Sequence, residues 1–184
     1  MHPNLANAVA ALNKGRKYAS WFEWPDKQLK ELGIVEELIS AVARAESRVL
    51  REPTIHHPDP PDCVCLDESG RRIAVEVTEI VCDKAVALNA QGQRVYRHWQ
   101  LGELQPYIAR ALNQKEAKLF HGGPYGEIVA CLFPDEPTIT FAFADRELTN
   151  ASFGPFRQIA SAYVLFSYDP GTKTYPVLPL RINA

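Results

Sequence analysis

Two carboxylates and a hydroxyl near the middle of the chain have the types and the spacing for metal chemistry. The stretch Pro61-Asp62-Cys63-Val64-Cys65-Leu66-Asp67 is followed by Glu68-Ser69-Gly70 and then by Arg71-Arg72-Ile73-Ala74-Val75-Glu76-Val77-Thr78. Both flanks are apolar and β-branched, and Gly70 stands where a tight loop needs positive φ, which predicts a β-hairpin. If Glu68, Ser69 and Gly70 form the loop, Asp67 faces Arg71, and counting outward sets Asp62 opposite Glu76. Facing residues on antiparallel strands have Cβ atoms about 4.5–5.5 Å apart. Thr78 falls on the same face, and the inward neighbours Val64 and Ala74 are apolar. Like charges so placed repel unless a shared proton or a divalent cation lies between them. Hard cations such as Mg²⁺ take one or two carboxylates and leave room for water and a substrate phosphate. Removing either carboxylate is therefore expected to relieve repulsion in metal-free protein. The plainer readings are a solvent-facing Glu76 on a one-sided sheet and a turn role for Asp62 after its proline pair.

The elements around this hairpin must position it. From Pro25 to Leu50, the residues Leu29, Leu32, Val35, Leu38, Ile39, Val42 and Ala43 recur at helical intervals. Gly33 is expected to divide them into a short helix and a longer one over about Ile34–Val49. The proline-rich Arg51-Glu-Pro-Thr-Ile-His-His-Pro-Asp-Pro-Pro-Asp62 must be extended or turning. After the hairpin, Val81–Gln93 reads as a mixed segment ending in a loop. A long helical pattern then runs from His98 to Phe120, with Pro106 starting or kinking the helix, and HGGPYG stops it. The remainder predicts strands at EIVACLF, TITFAF, AYVLFSY and YPVLPLR, with a short helix around Gly154–Ile159. This order implies an α/β layered domain, a mixed β-sheet with a central hairpin flanked by helices.

The chain has 184 residues, 46% of them apolar and 23% charged, which suits one globular domain over 1–184. Within it, residues 1–24 read as an N-terminal helical extension beginning at Pro3, and the core spans about 34–180. The net charge of −2 gives no overall positive field, though a local basic groove is compatible with it. No apolar run approaches the roughly 18–20 residues that cross a bilayer, so no membrane partner is expected. The first basic residues follow the N-terminal apolar run, the wrong order for a secretory signal, and the expected location is cytoplasmic. Cys63, Cys65, Cys82 and Cys131 form no C-x-x-C pair and the histidines no H-x-x-x-H, which argues for buried thiols rather than zinc ligands. Trp21, Phe22 and Trp24 read as packing residues. Arg44, Arg48 and Arg51 follow helical spacing and suit either a solvated face or phosphate contacts.

Pro61-Asp62, a strand–turn–strand and Glu76-Val77-Thr78 together resemble the PD-(D/E)XK nuclease superfamily, the restriction-endonuclease-like fold. The resemblance covers roughly Ile34 to Phe133. It implies that Asp62 and Glu76 bind Mg²⁺ (or Mn²⁺) and that Val77 contributes its backbone carbonyl. It also implies a lysine two positions beyond the glutamate to activate water, and here Thr78 departs from the pattern. Some members supply that lysine from the following helix, which makes Lys118 the first candidate and Lys115 the second; three apart, they share a helix face. Gln114, one turn before Lys118, falls on the same side. The family's glutamate on the preceding helix corresponds best to Glu46, with Glu37 behind it.

Two functions follow. In the first the chain is a Mg²⁺-dependent phosphodiesterase, a nuclease hydrolysing DNA or RNA. In the second it is a non-catalytic nuclease-fold binding or assembly module that has lost the lysine.

Overall fold

A computed structural model of the protein describes residues 26–82, 98–134, 136 and 138–183. The expected N-terminal helix, Trp21, Phe22, Trp24 and most of the Val81–Gln93 segment lie outside these residues. The described chain is α/β, with three helices around a mixed seven-stranded sheet.

Helix α1 (Lys27–Glu46) starts at Asp26, whose side chain accepts hydrogen bonds from the Gln28 and Leu29 amides. It runs through Gly33 without a break, against the expected division. Glycine inside a helix costs about 1 kcal/mol, and the buried stripe Ile34, Val35, Leu38, Ala41 and Val42 outweighs that. Strand β1 (Leu50–Ile55) follows and carries Pro53 on the sheet edge, where no ladder donor is needed. Strands β2 (Cys63–Asp67) and β3 (Arg72–Ile80) form the hairpin, pairing Cys63 with Val75 and Leu66 with Arg72. One step further out, the same register sets Asp62 abreast of Glu76, as counted from the loop.

Helix α2 (Leu104–Glu116) crosses from β3 to β4 (Glu127–Pro134), which runs parallel to β3 with Glu76 beside Ala130. Pro106 is the third residue of α2 and does not start it. It sits in the first turn, where the missing N–H has no helical partner to lose. The helix also stops at Glu116, short of Phe120. The segment TITFAF is not a strand: helix α3 (Phe141–Leu148) begins there, because the Thr140 hydroxyl accepts from the Phe143 amide and caps it. The apolar alternation that suggested a strand is the entry to this helix. Around Gly154 there is no helix. Ser152–Phe153 makes the short strand β5, and Gly154 has φ 109°, where a Cβ would meet the Asn183 carbonyl at 2.7 Å. Strands β6 (Ile159–Leu165) and β7 (Val177–Ile182) complete the order β1-β2-β3-β4-β6-β7-β5.

Alternation along the central strands divides the core into two layers. Ile34, Val35 and Leu38 of α1 pack with Cys63, Cys65, Val75, Val77, Val129 and Cys131. On the other face Leu104, Ile108 and Leu112 of α2 pack with Ile80, Ala130, Leu132, Ala162 and Val164. Glu76 and Asp62 belong to the α2 face, opposite in parity to their buried neighbours Val75, Val77 and Cys63. Among the described residues no helix is long and apolar enough to cross a membrane.

Candidate metal centre

Asp62 and Glu76 are 6% and 1% exposed, so neither is a solvated strand residue. Burying two adjacent carboxylates demands compensation, and the structure supplies it from two directions. The backbone gives one part: the Val77 amide donates to Asp62 Oδ2 at 2.8 Å. The last turn of α2, with Lys115, and the turn after it, with Lys118, give the other; the two do not share a helix face as expected, because the helix ends at Glu116. Lys115 Nζ donates to Glu76 Oε2 at 2.7 Å and to the Val77 carbonyl at 2.8 Å, and it stands 3.9 Å from Asp62 Oδ2. Lys118 Nζ donates to the same Glu76 Oε2 at 2.8 Å and lies 4.0 Å from Asp59 Oδ1. Both candidate lysines therefore reach the carboxylates. Lys115 is the more enclosed, touching Glu76 and Val77 and approaching Asp62.

The electrostatics follow from this packing. Burial, and after it the neighbouring Glu76 charge, push the Asp62 carboxyl above the usual aspartate range, against the pull of Lys115 and the Val77 amide. Burial opposes the Lys118 ammonium, but its hydrogen bond to Glu76, the Glu76 charge and smaller contributions from Lys115 and Asp62 together outweigh that and raise its pKa. Glu76 differs from Asp62 in accepting from two ammonium groups, contacts that the expected relief of repulsion on its removal left out of account.

Carboxylate oxygens of Asp59, Asp62 and Glu76 lie within 4.8 Å of one another and could hold a metal ion. Glu76 Oε1 is buried and has no hydrogen-bond partner. An all-oxygen donor set with one buried, unspent carboxylate oxygen fits a hard divalent cation such as Mg²⁺ or Mn²⁺ better than zinc. Asp59 escaped the sequence reading because its proline-rich loop reads as turn chemistry. Its one signal is its position three residues before Asp62.

Glu46 is not at this centre. It accepts from the Tyr163 hydroxyl at 2.8 Å, at the far end of α1 from Asp62. The helix acid beside the centre is Glu31, near the start of α1. It is buried, paired with Lys27 at 3.2 Å, and its carboxyl is pushed up by burial and then by the Asp62 charge. Fifteen residues separate Glu31 from Glu46, about 22 Å at the helical rise. Thr78 shares the Glu76 face, and its hydroxyl is buried without a hydrogen-bond partner. Gln114 is exposed and makes no recorded contact with the carboxylates. Arg48 is spent elsewhere, donating to Glu127, Ser161 and Tyr163. Cys63, Cys65 and Cys131 are fully buried, as small hydrophobes would be. Compared with protein-family models, curated proteins and solved structures, the chain matches none.

Proposed function

We propose that the chain is a divalent-metal-dependent phosphodiesterase of restriction-endonuclease-like architecture, acting on DNA or RNA. One observation carries the reading: two buried carboxylates stand abreast with an unspent oxygen, and Lys115 of α2 and Lys118 of the turn after it reach Glu76. The order of elements supports it, since a helix, a hairpin, a second helix and a parallel strand surround the centre. Asp62, Glu76 and the Val77 carbonyl would hold Mg²⁺ or Mn²⁺, with Asp59 at the mouth. The ion, when bound, supplies positive charge to the reacting phosphoryl group and makes water more acidic.

The chain's own groups do the rest. Lys115 takes the role that Thr78 cannot. Its ammonium rests on Glu76 and the Val77 carbonyl, would give these up to a bound ion, and from beside them can donate a hydrogen bond that stabilises the attacking water as it loses its proton to solvent. Lys118 is 34% exposed and can leave Glu76 to meet a phosphate oxygen. The test is cleavage of plasmid and single-stranded oligonucleotides with Mg²⁺ or Mn²⁺ against EDTA, with Asp62→Ala as control. Metal-dependent cleavage lost in Asp62→Ala and at least 100-fold weaker in Lys115→Met is the expected result.

A specific feature favours a second reading. Both lysines already satisfy Glu76 Oε2, which is how a retired centre would become a self-neutralised core cluster. In that case the chain is a non-catalytic nuclease-fold binding or assembly module, and wild type cleaves nothing under any metal.

A further inference from the structure

An arginine that the metal centre leaves unused stands on the same sheet face. Arg72 opens β3, and by alternation its side chain shares the face of Ala74 and Glu76. Four residues of strand separate it from Glu76, about 13 Å at the usual rise. Its guanidinium is held in place: Nη1 donates to the Gly122 carbonyl, and Cζ lies 5.1 Å from the Tyr125 ring centroid. This platform is fastened to the centre. The His121 amide donates to the Pro60 carbonyl at 2.9 Å, and the His56 amide donates to the Asp62 carbonyl at 3.1 Å. The Tyr125 hydroxyl bonds the His121 carbonyl and lies 3.3 Å from His56 Nε2. Gly122, at φ 75°, lets the loop press against His56, since a Cβ there would come within 2.5 Å of His56 Nε2.

Arg72 differs from Arg48 and Arg71 in having no carboxylate partner among the described residues. Arg48 is paired with Glu127 and Arg71 with Asp67, each at 2.7 Å. Among the described residues no carboxylate lies within ion-pair distance of Arg72, which is exposed and has spent one of its donors on Gly122. A centre built of carboxylates repels a polyanion, so a polymeric substrate needs cations beside it. Nucleic-acid backbones carry a phosphate at every nucleotide, so a cation on this side of the centre can meet a phosphate that flanks the reacting one.

We propose that Arg72, set on Tyr125 and Gly122, docks the phosphodiester backbone of a polynucleotide at a phosphate that flanks the bond at the carboxylate centre. This rests on the phosphodiesterase reading and adds to it the residue that grips the polynucleotide on the hairpin side of the centre. Arg72 positions substrate and takes no part in bond cleavage.

The test separates docking from chemistry. Binding of a fluorescent 20-nucleotide single strand and of a duplex is measured in EDTA across a salt series, for wild type, Arg72→Gln and Arg72→Lys. Hydrolysis of bis(p-nitrophenyl) phosphate with Mn²⁺ is measured on the same proteins. Arg72→Gln is expected to weaken binding of at least one of the two by about five- to tenfold and to lower the slope of log K against log salt by about one. Arg72→Lys should retain the slope, and hydrolysis of the small diester should stay within twofold of wild type in both variants. If Arg72→Gln does not fold, Arg72→Met, which keeps the stem over the ring, carries the same expectation. Unchanged affinity and slope in the neutral variant, or no oligonucleotide binding by wild type, overturns the proposal. If the slope changes as expected but wild type hydrolyses no diester, the docking surface stands and the catalytic reading falls.

Discussion

Replacing Glu76 by glutamine should destabilise the metal-free protein sharply, whereas Asp62→Asn should not. Glu76 Oε2 accepts from two ammonium groups at 2.7 and 2.8 Å, inside the sheet–helix layer. At an effective dielectric of about 20, each contact carries roughly 6 kcal/mol of Coulomb attraction. Much of that is offset by burying Glu76 and by repulsion between the two lysines. Lys115 is 14% exposed and Lys118 34%, so water screens the second pair more than the first. Breaking a buried pair by removing one partner costs about 3–5 kcal/mol, and discounting Lys118 leaves about 3 kcal/mol for Glu76→Gln. For a chain of this size that is a fall in Tm of about 6–12 °C. Asp62→Asn keeps an oxygen for the Val77 amide, loses a 3.9 Å approach by Lys115 and relieves its repulsion with Glu76, a balance within about 1 kcal/mol of zero. Heat and urea unfolding in EDTA at pH 7 measure both, and adding Lys115→Met to Glu76→Gln should recover part of the loss. A Glu76→Gln protein as stable as wild type would refute the reasoning, because it would mean that carboxylate repulsion outweighs the lysine contacts.

Other outcomes follow from single groups. Glu31 has its carboxyl raised, so its charged form is disfavoured in the folded state, and it lowers stability as pH rises from the ordinary glutamate range through the raised value. Glu31→Gln should therefore raise the metal-free urea midpoint at pH 7 and leave it unchanged near pH 4; a lower midpoint at pH 7 would show that the Lys27 pair dominates. Asp67 is depressed, chiefly by Ser69 and then by Arg71, so its contribution is present above the ordinary aspartate value and is lost as pH falls through the folded one. Asp67→Ala should thus destabilise the hairpin at pH 7, with the gap from wild type narrowing as the solution is acidified below pH 3. Burial pushes the Cys63 thiol up to about 12 and Cys65 to about 11, and raises the fully enclosed Cys131 as well. Native protein should then show one thiol reactive toward an aromatic disulfide at pH 8, Cys82, and four after denaturation; rapid modification of two or more would contradict the packing.

The hairpin and its register were legible because they depend on local chemistry: a glycine at positive φ, β-branched flanks and a period of two. That was enough to place Asp62 beside Glu76. Helix limits were less legible, because burial overrode propensity at Gly33, and a threonine cap turned an alternating TITFAF into the start of a helix. Asp59 and Glu31 could not be read from spacing. Their nearness to Asp62 depends on how the proline-rich loop folds back and on which end of α1 lies at the centre. The direction of the chain gives a physical clue to the second point. Strand β1 runs away from the α1 terminus, so the loop after β1 lies level with the start of the helix and not with Glu46. Lys115 and Lys118 both reach Glu76, but not from one helix face as their spacing of three implied: α2 ends at Glu116, and Lys118 arrives from the turn that follows.

The metal centre itself is tested most directly by Mn²⁺ binding, followed by calorimetry and by the loss of the free-ion electron paramagnetic signal. Wild type, Asp62→Asn and Glu76→Gln are compared at a temperature where all three are folded. Saturable binding to wild type that is abolished in both variants is the expected result, with Lys115→Met retaining it. Wild type that leaves Mn²⁺ free in solution, or variants that bind it as well as wild type does, would contradict a metal centre at Asp62 and Glu76.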